Sequence, residues 1–276
     1  MHRFIGVLPI LLFAGLIASA EPTGKNGATV AKWADGLAAP HGLASAPGGD
    51  VVVVENGTGR LLRFGRTGER RGVLADGLRG PSFALALGGK IYVGERQGNA
   101  VAQIGGDGSV TRLGGEVTDP LGLAAQNGSL LVVSHRQSVV RRWAATKGGF
   151  TPVEAPVLAP TGGAKYGWRD LAVTRDGTLL VTDEVSGAVL RRRPGGTLEA
   201  WAKNLSSPSG LAIGPKGDIY VTEEGGGRVS RIQPTGEVVS VAEGLGAARD
   251  ALFLDERTLL VSDRAGGVVW KVVLPR

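Results

Sequence analysis

The chain has 276 residues, 46 of them glycine and none cysteine, with aromatics at only 5%. Glycine and proline together stay below the share of a disordered low-complexity chain, and the lack of cysteine excludes a disulfide scaffold. Thirty-one basic residues against 25 acidic ones leave a charge of +6, an excess spread over presumed outer-strand arginines such as Arg60, Arg141 and Arg191, which argues against a nucleic-acid partner.

Residues 1–20 begin with His2 and Arg3, continue as an apolar run from Phe4 to Ile17 and end in Ala18-Ser19-Ala20. The run is shorter than the ~20 residues of a spanning helix and has the three-part pattern of a cleaved secretory signal. The expectation is a periplasmic or secreted monomer, with no membrane association after cleavage. Glu21 to Gly27 is polar and without periodicity, and reads as a flexible leader. The remainder, 28–276, is expected to be one domain.

From Ala28 onward the chain repeats. The apolar residue opening each innermost strand is Leu43, Ala84, Leu123, Leu171, Leu211 and Leu252, at intervals of 41, 39, 48, 40 and 41 residues. A period near forty with several strands per period is that of a β-propeller, so the fold class is all-β, a six-bladed propeller of four-stranded blades. The cleanest copy is Ser209 to Ile232. Second strands such as VVVVE, LLVTD and IYVTE are nearly continuous Val, Ile and Leu, which predicts burial on both faces. Five of the six end in an acid: Glu55, Glu95, Asp183, Glu223 and Asp263, with Ser134 in the third blade. Acids recurring in this way read as structural, accepting backbone N–H bonds from the glycine-rich turn after each strand.

The last repeat has room for three strands only. Its fourth is expected from the other end of the chain, since Trp33-Ala34-Asp35-Gly36-Leu37 matches the outer-strand segment Trp201-Ala202-Lys203-Asn204-Leu205. The N-terminal strand would thereby close the ring and hide its open edges. One period is longer by about eight residues, and Pro156 to Trp168 is read as a loop before the fourth blade.

The patterns GLAxxPxGxxxVxE and GxLLVTDxxxGxVLR resemble the six-bladed propellers grouped as NHL, SMP-30 (gluconolactonase-like) and strictosidine-synthase-like proteins. The likeness spans nearly all of the chain after residue 27. Trp168-Arg169-Asp170-Leu171-Ala172-Val173, with DGTLLVTDEVSGAVLR after it, is similar to a late blade of sorbosone-dehydrogenase-like proteins. The resemblance implies a channel mouth ringed by the residues that enter the first strands, His41, Ser82, Leu121, Arg169, Ser209 and Asp250, with Asp170 and Arg249 adjacent. It implies a second ring at the ends of the second strands, Glu55, Glu95, Ser134, Asp183, Glu223 and Asp263, with His135, Glu184, Glu224 and Arg264 adjacent.

Residues that occur once carry the functional expectation. His41 and His135 are candidate bases, with Arg169 beside them. Tyr166, Trp168, Arg169 and Arg249 would form an aromatic and cationic wall for a small-molecule ligand, and Asp170 and Asp250 are candidate metal ligands. The lactonase relatives hold a divalent cation such as Ca²⁺ through a Glu, an Asn and an Asp at strand-entry positions, of which only Asp250 is matched here. For a quinone-dependent sugar dehydrogenase the histidine-bearing motif is not evident. Three functions stay open: binding of a sugar-like or lactone-like molecule at the channel mouth, catalysis as a metal-dependent lactone hydrolase or quinone-dependent sugar oxidoreductase, and a protein-interaction platform.

Overall fold

A computed structural model describes residues 21–114, 117–147, 149–160 and 167–276. The expected signal segment and Tyr166 lie outside the described residues. Six antiparallel sheets form the ring. Blade 1 comprises, from the axis outward, Pro40–Ser45, Val51–Glu55, Arg60–Phe64 and Arg70–Ala75. Blade 2 comprises Pro81–Leu87, Lys90–Glu95, Ala100–Ile104 and Val110–Leu113, and blade 3 Pro120–Gln126, Ser129–Ser134, Val139–Thr146 and Gly149–Leu158. Blade 4 comprises Trp168–Val173, Leu179–Asp183, Ala188–Arg192 and Glu199–Ala202, and blade 5 Pro208–Ile213, Ile219–Glu223, Arg228–Ile232 and Val238–Glu243. Blade 6 has Ala248–Phe253, Thr258–Asp263 and Val268–Val273, and its outer strand is the N-terminal Thr29–Ala34, paired antiparallel with Val268–Val273. The ring is closed as the repeat count requires.

Each seam between consecutive blades holds its own apolar core, because flat sheets stacked around an axis bury both faces. Val52 and Val54 of blade 1 face Ile91 and Val93 of blade 2, and Leu260 and Val269 of blade 6 face Leu43 and Val53 across the closing seam. Four of the seams are also stitched by a buried hydroxyl. Thr182 Oγ1 donates to the Ser209 carbonyl at 2.6 Å, Thr222 Oγ1 to Arg249 at 3.0 Å, Ser262 Oγ to His41 at 2.6 Å and Ser82 Oγ to Pro120 at 3.0 Å. The Thr or Ser before the terminal acid of the second strand thus ties a blade to its successor in blades 4, 5 and 6.

The structure revises four points of the sequence reading. In blade 6 the residue equivalent to Leu43 and Leu211 is Ala251, which pairs with Val261, so the repeat starts one residue earlier than Leu252. Pro156 to Leu158 continue the outer strand of blade 3, whose last hairpin is lengthened, and the strand ends before Ala159. Within 21–27, Thr23–Gly24 pairs with Glu243 and Ala242 as a fifth strand on blade 5, and Lys25 forms a 2.9 Å ion pair with Glu243. Each recurrent acid accepts one backbone N–H from the loop entering its own blade. Glu55 accepts from Ala38 N–H, Glu95 from Arg79, Asp183 from Gly167, Glu223 from Ser206 and Asp263 from Ala247, at 2.6–2.9 Å, and Ser134 Oγ accepts from Thr118 in the same place. Asp183 and Asp263 also accept from the turn after their strand.

Candidate functional site

The mouth is built by a bulge repeated in every blade. The ladder between first and second strands slips between Pro40 and Leu43, and likewise at 81/84, 120/123, 168/171, 208/211 and 248/251. Two residues per blade leave the ladder there, and a bulge re-aims their side chains. The outer bulge ring is His41, Ser82, Leu121, Arg169, Ser209 and Arg249; the inner one is Gly42, Phe83, Gly122, Asp170, Gly210 and Asp250. Arg249 therefore takes the ring position expected for Asp250, and Asp250 is the counterpart of Asp170.

The inner ring alternates glycine with a side chain, and the spacing shows why. A Cβ on Gly122 would lie 2.4 Å from Asp170 Oδ1, one on Gly210 2.8 Å from Asp250 Oδ1, and one on Gly42 2.7 Å from Phe83 Cα. Three glycines make room for three neighbours at the waist of the channel. Asp170 Oδ2 accepts from Leu211 N–H of blade 5 and Asp250 Oδ2 from Leu43 N–H of blade 1, both at 2.8 Å. Both carboxyls border an axial cavity of about 250 Å³ with otherwise apolar walls, including Leu43, Phe83, Leu171 and Phe253. Burial pushes Asp250 up to about 7; burial and the neighbouring Asp250 charge push Asp170 well above the carboxylate range.

Above the waist lies a chain of charges drawn from separate blades. His135 of blade 3 donates from Nδ1 to the Trp168 carbonyl at 2.7 Å, and its Nε2 lies 3.8 Å from Glu184. Glu184 pairs with Arg169, whose second nitrogen donates to Glu224 Oε2 at 2.8 Å. The same Glu224 oxygen accepts from Arg249, and Arg249 Nε donates to His41 Nε2 at 2.9 Å. Arg264 stands 3.9 Å from Glu224, and Arg96 of blade 2 is held by Asp119 at 2.6 and 3.1 Å. Exposure falls inward, from 46% for the Arg264 side chain to 7% for Arg249 and 1% for His41.

These contacts fix what each histidine can do. Arginine can only donate, so His41 Nε2 is the acceptor and its proton sits on Nδ1, which is buried without a partner. Burial, reinforced by Arg96, Arg169 and Arg264, lowers His41 to about 3. His41, a candidate base in the sequence, has its lone pair engaged by Arg249 and offers Nδ1–H as a donor. The carbonyl of Trp168 can only accept, so Nδ1 of His135 carries a proton, and in the neutral ring Nε2, beside Glu184, is the nitrogen with the lone pair. Trp168 itself is fully buried in the seam core between blades 3 and 4, and it contributes its backbone carbonyl to the site in place of an aromatic wall. Arg169 and Arg249 do come together, bridged by Glu224.

Sequence reasoning names Glu184, Glu224 and Arg264 only as neighbours of the acid ring and gives Arg96 no role. The signal available is variability: the residue after the second strand reads Asn56, Arg96, His135, Glu184, Glu224 and Arg264, whereas the one before it barely changes. The donor set does not fit the divalent cation that the resemblance implies. Among the described residues no group of three or more His, Asp or Glu side chains is placed to hold a metal. Asp170 and Asp250 already accept backbone N–H bonds, and the mouth above them is rich in arginine.

A family model for the NHL repeat matches residues 205–232, the first three strands of blade 5 and the loop that enters them. The whole ring is similar to a gluconolactonase from Xanthomonas campestris, at 18% identity and a TM-score of 0.75 over 92% of each chain. It is similar to a putative gluconolactonase at 16% identity and a TM-score of 0.70, over 92% of this chain and 96% of the other. Virginiamycin B lyase from Staphylococcus aureus aligns at 14% identity and a TM-score of 0.64, over 90% and 99%. No curated protein sequence matches the chain. At these identities the likeness shows the six-bladed fold alone.

Proposed function

We propose that this propeller is an exported protein whose channel mouth binds a small anionic, sugar-like or lactone-like molecule. The observation that carries the reading is the bridge in which one Glu224 oxygen takes hydrogen bonds from both Arg169 and Arg249, with Arg96 and Arg264 beside it. A carboxylate or ring-oxygen ligand competes with Glu224 for guanidinium donors already held in place, so little side-chain entropy is lost on binding. His41 Nδ1–H supplies one more buried donor without a partner.

Calorimetric titration with an aldonic acid, its lactone and the neutral sugar tests this. The acid or lactone binds and the neutral sugar binds about tenfold more weakly, and Arg249→Met removes the preference. Equal binding of all three, or none, overturns the reading. A second reading, opening of the lactone by water, draws on the His135 lone pair and on the gluconolactonase neighbours. His135 would take a proton from the attacking water while an arginine steadies the developing oxyanion, and return it to the ring oxygen as the acyl–oxygen bond breaks. Acid release followed at constant pH decides it: release that persists in His135→Gln removes His135 as the base.

A further inference from the structure

The face opposite the mouth carries a second feature, at the seam between blades 4 and 5. Trp201 of blade 4 occupies the place that Trp33 occupies in blade 6. Each indole Nε1–H donates to a carbonyl of the next blade, Trp33 to Arg66 at 3.1 Å and Trp201 to Pro234 at 3.3 Å. Trp33 is buried: its ring packs on Phe64 at 5.4 Å between centroids, and Arg66 reaches across the seam to the Leu254 carbonyl at 2.7 Å. In the 4–5 seam the counterpart of Phe64 is Ile232, that of Arg66 is Pro234, and that of Leu254 is Thr174. A smaller side chain and the loss of the crossing arginine leave Trp201 half-exposed. The seam opens into a groove of about 490 Å³ lined by Trp201, Ile213, Arg175, Arg191, Arg193 and Lys216, within the size range of small-ligand sites.

The charge around this indole is one-sided. Arg191 lies over the ring, 5.0 Å from its centroid, and is fixed by Glu199, which also accepts from Arg193 at 3.1 Å. Arg175 is turned to the Pro215 carbonyl at 3.1 Å. The four cations face two carboxylates, Glu199 and Asp176, and Asp176 is already engaged by Thr174 and Thr178. A half-open indole beside fixed guanidinium groups suits a ligand with a flat apolar ring face and carboxylates on its edge.

We infer that the 4–5 seam is a second binding site, for an acidic saccharide: sugar C–H groups pack in the groove between Trp201 and Ile213 while carboxylates meet Arg193 and Lys216. An extended acidic peptide matches the charge but lacks the rigid ring face that Trp201 offers. The inference is independent of what the mouth binds.

Calorimetry on the full chain with a galacturonic acid trimer, a neutral galactose trimer and a glutamate peptide of equal charge tests it. The uronate trimer binds about tenfold tighter than either competitor. Ile232→Phe, which copies the closed seam, and the exposed double variant Arg193→Ala with Lys216→Ala each cost about tenfold, while Arg249→Met at the mouth leaves this binding intact. Thermal melting checks each variant, and the double variant decides if Ile232→Phe does not fold. Equal binding of the glutamate peptide, loss of binding with Arg249→Met alone, or no binding of the trimer overturns the inference.

Discussion

Glu223 and Glu224 are neighbours in the chain, yet they belong to different parts of the molecule. Glu223 is fully buried and accepts four hydrogen bonds, from Ser206 N–H, two Arg228 nitrogens and the Ser230 hydroxyl. Glu224, one residue further, leaves the strand and meets Arg169 and Arg249 at the channel mouth. The same division runs around the ring, with Glu95 against Arg96, Asp183 against Glu184 and Asp263 against Arg264. The last residue of the second strand is fixed by the backbone of the entering loop, which every blade must satisfy. The next residue faces the mouth, where its partner is a backbone carbonyl in some blades and a charged side chain in others, and there the blades differ.

The largest effect separates these two positions. Glu223→Ala leaves four donors, two of them on one guanidinium, without their buried acceptor and costs about 3–5 kcal/mol. Denaturant unfolding measures this, and the folded fraction keeps its affinity at the mouth. Glu224→Gln does the reverse: the amide oxygen still accepts from both guanidinium groups, so stability falls by about 1 kcal/mol, and mouth binding changes about tenfold. Comparable stability losses at both positions would mean that the two rings are one structural unit.

This division also explains what the sequence could convey. The fold is legible because its determinants recur: the VTD, VTE and VSD endings carry both the hydroxyl that stitches the seam and the acid that holds the loop, and they appear at a constant spacing. Ring closure by Thr29–Ala34 is legible for the same reason, through the Trp-Ala-x-x-Leu match. The site is less so. Sequence alone places Arg249 one position out because Ala-Arg-Asp-Ala-Leu-Phe offers two apolar residues to align with Leu43, and only the pairing of Ala251 with Val261 chooses between them. Contacts such as Arg249 to His41 join residues 208 apart in sequence, and no local pattern encodes them. The open seam at Trp201 is equally hidden, since Trp33 and Trp201 share a motif and differ only in what the next blade supplies.

A smaller effect sharpens the contrast between the mouth and the waist beneath it. Asp250, raised from 3.8 to about 7, and Asp170, raised in the same direction, hold their protons in the folded state after they have lost them in the unfolded chain. Stability therefore falls as pH rises from the carboxylate range toward 7. His41, lowered from 6.5 to about 3, has the opposite sign: the unfolded chain binds the proton first, and stability falls as pH drops below 6.5. Between about pH 5 and 6.5 two acids oppose one histidine, each contributing at most about 1.4 kcal/mol per pH unit. The wild-type profile accordingly declines gently with pH. His41→Gln steepens the decline toward twice the slope, and Asp250→Asn brings the profile close to level. Unfolding free energies measured across that window compare the three slopes. Parallel profiles would show that the waist carboxyls hold no proton beyond pH 5 and that the ionised pair is tolerated in the channel, which would leave the Gly122 and Gly210 notches as packing alone.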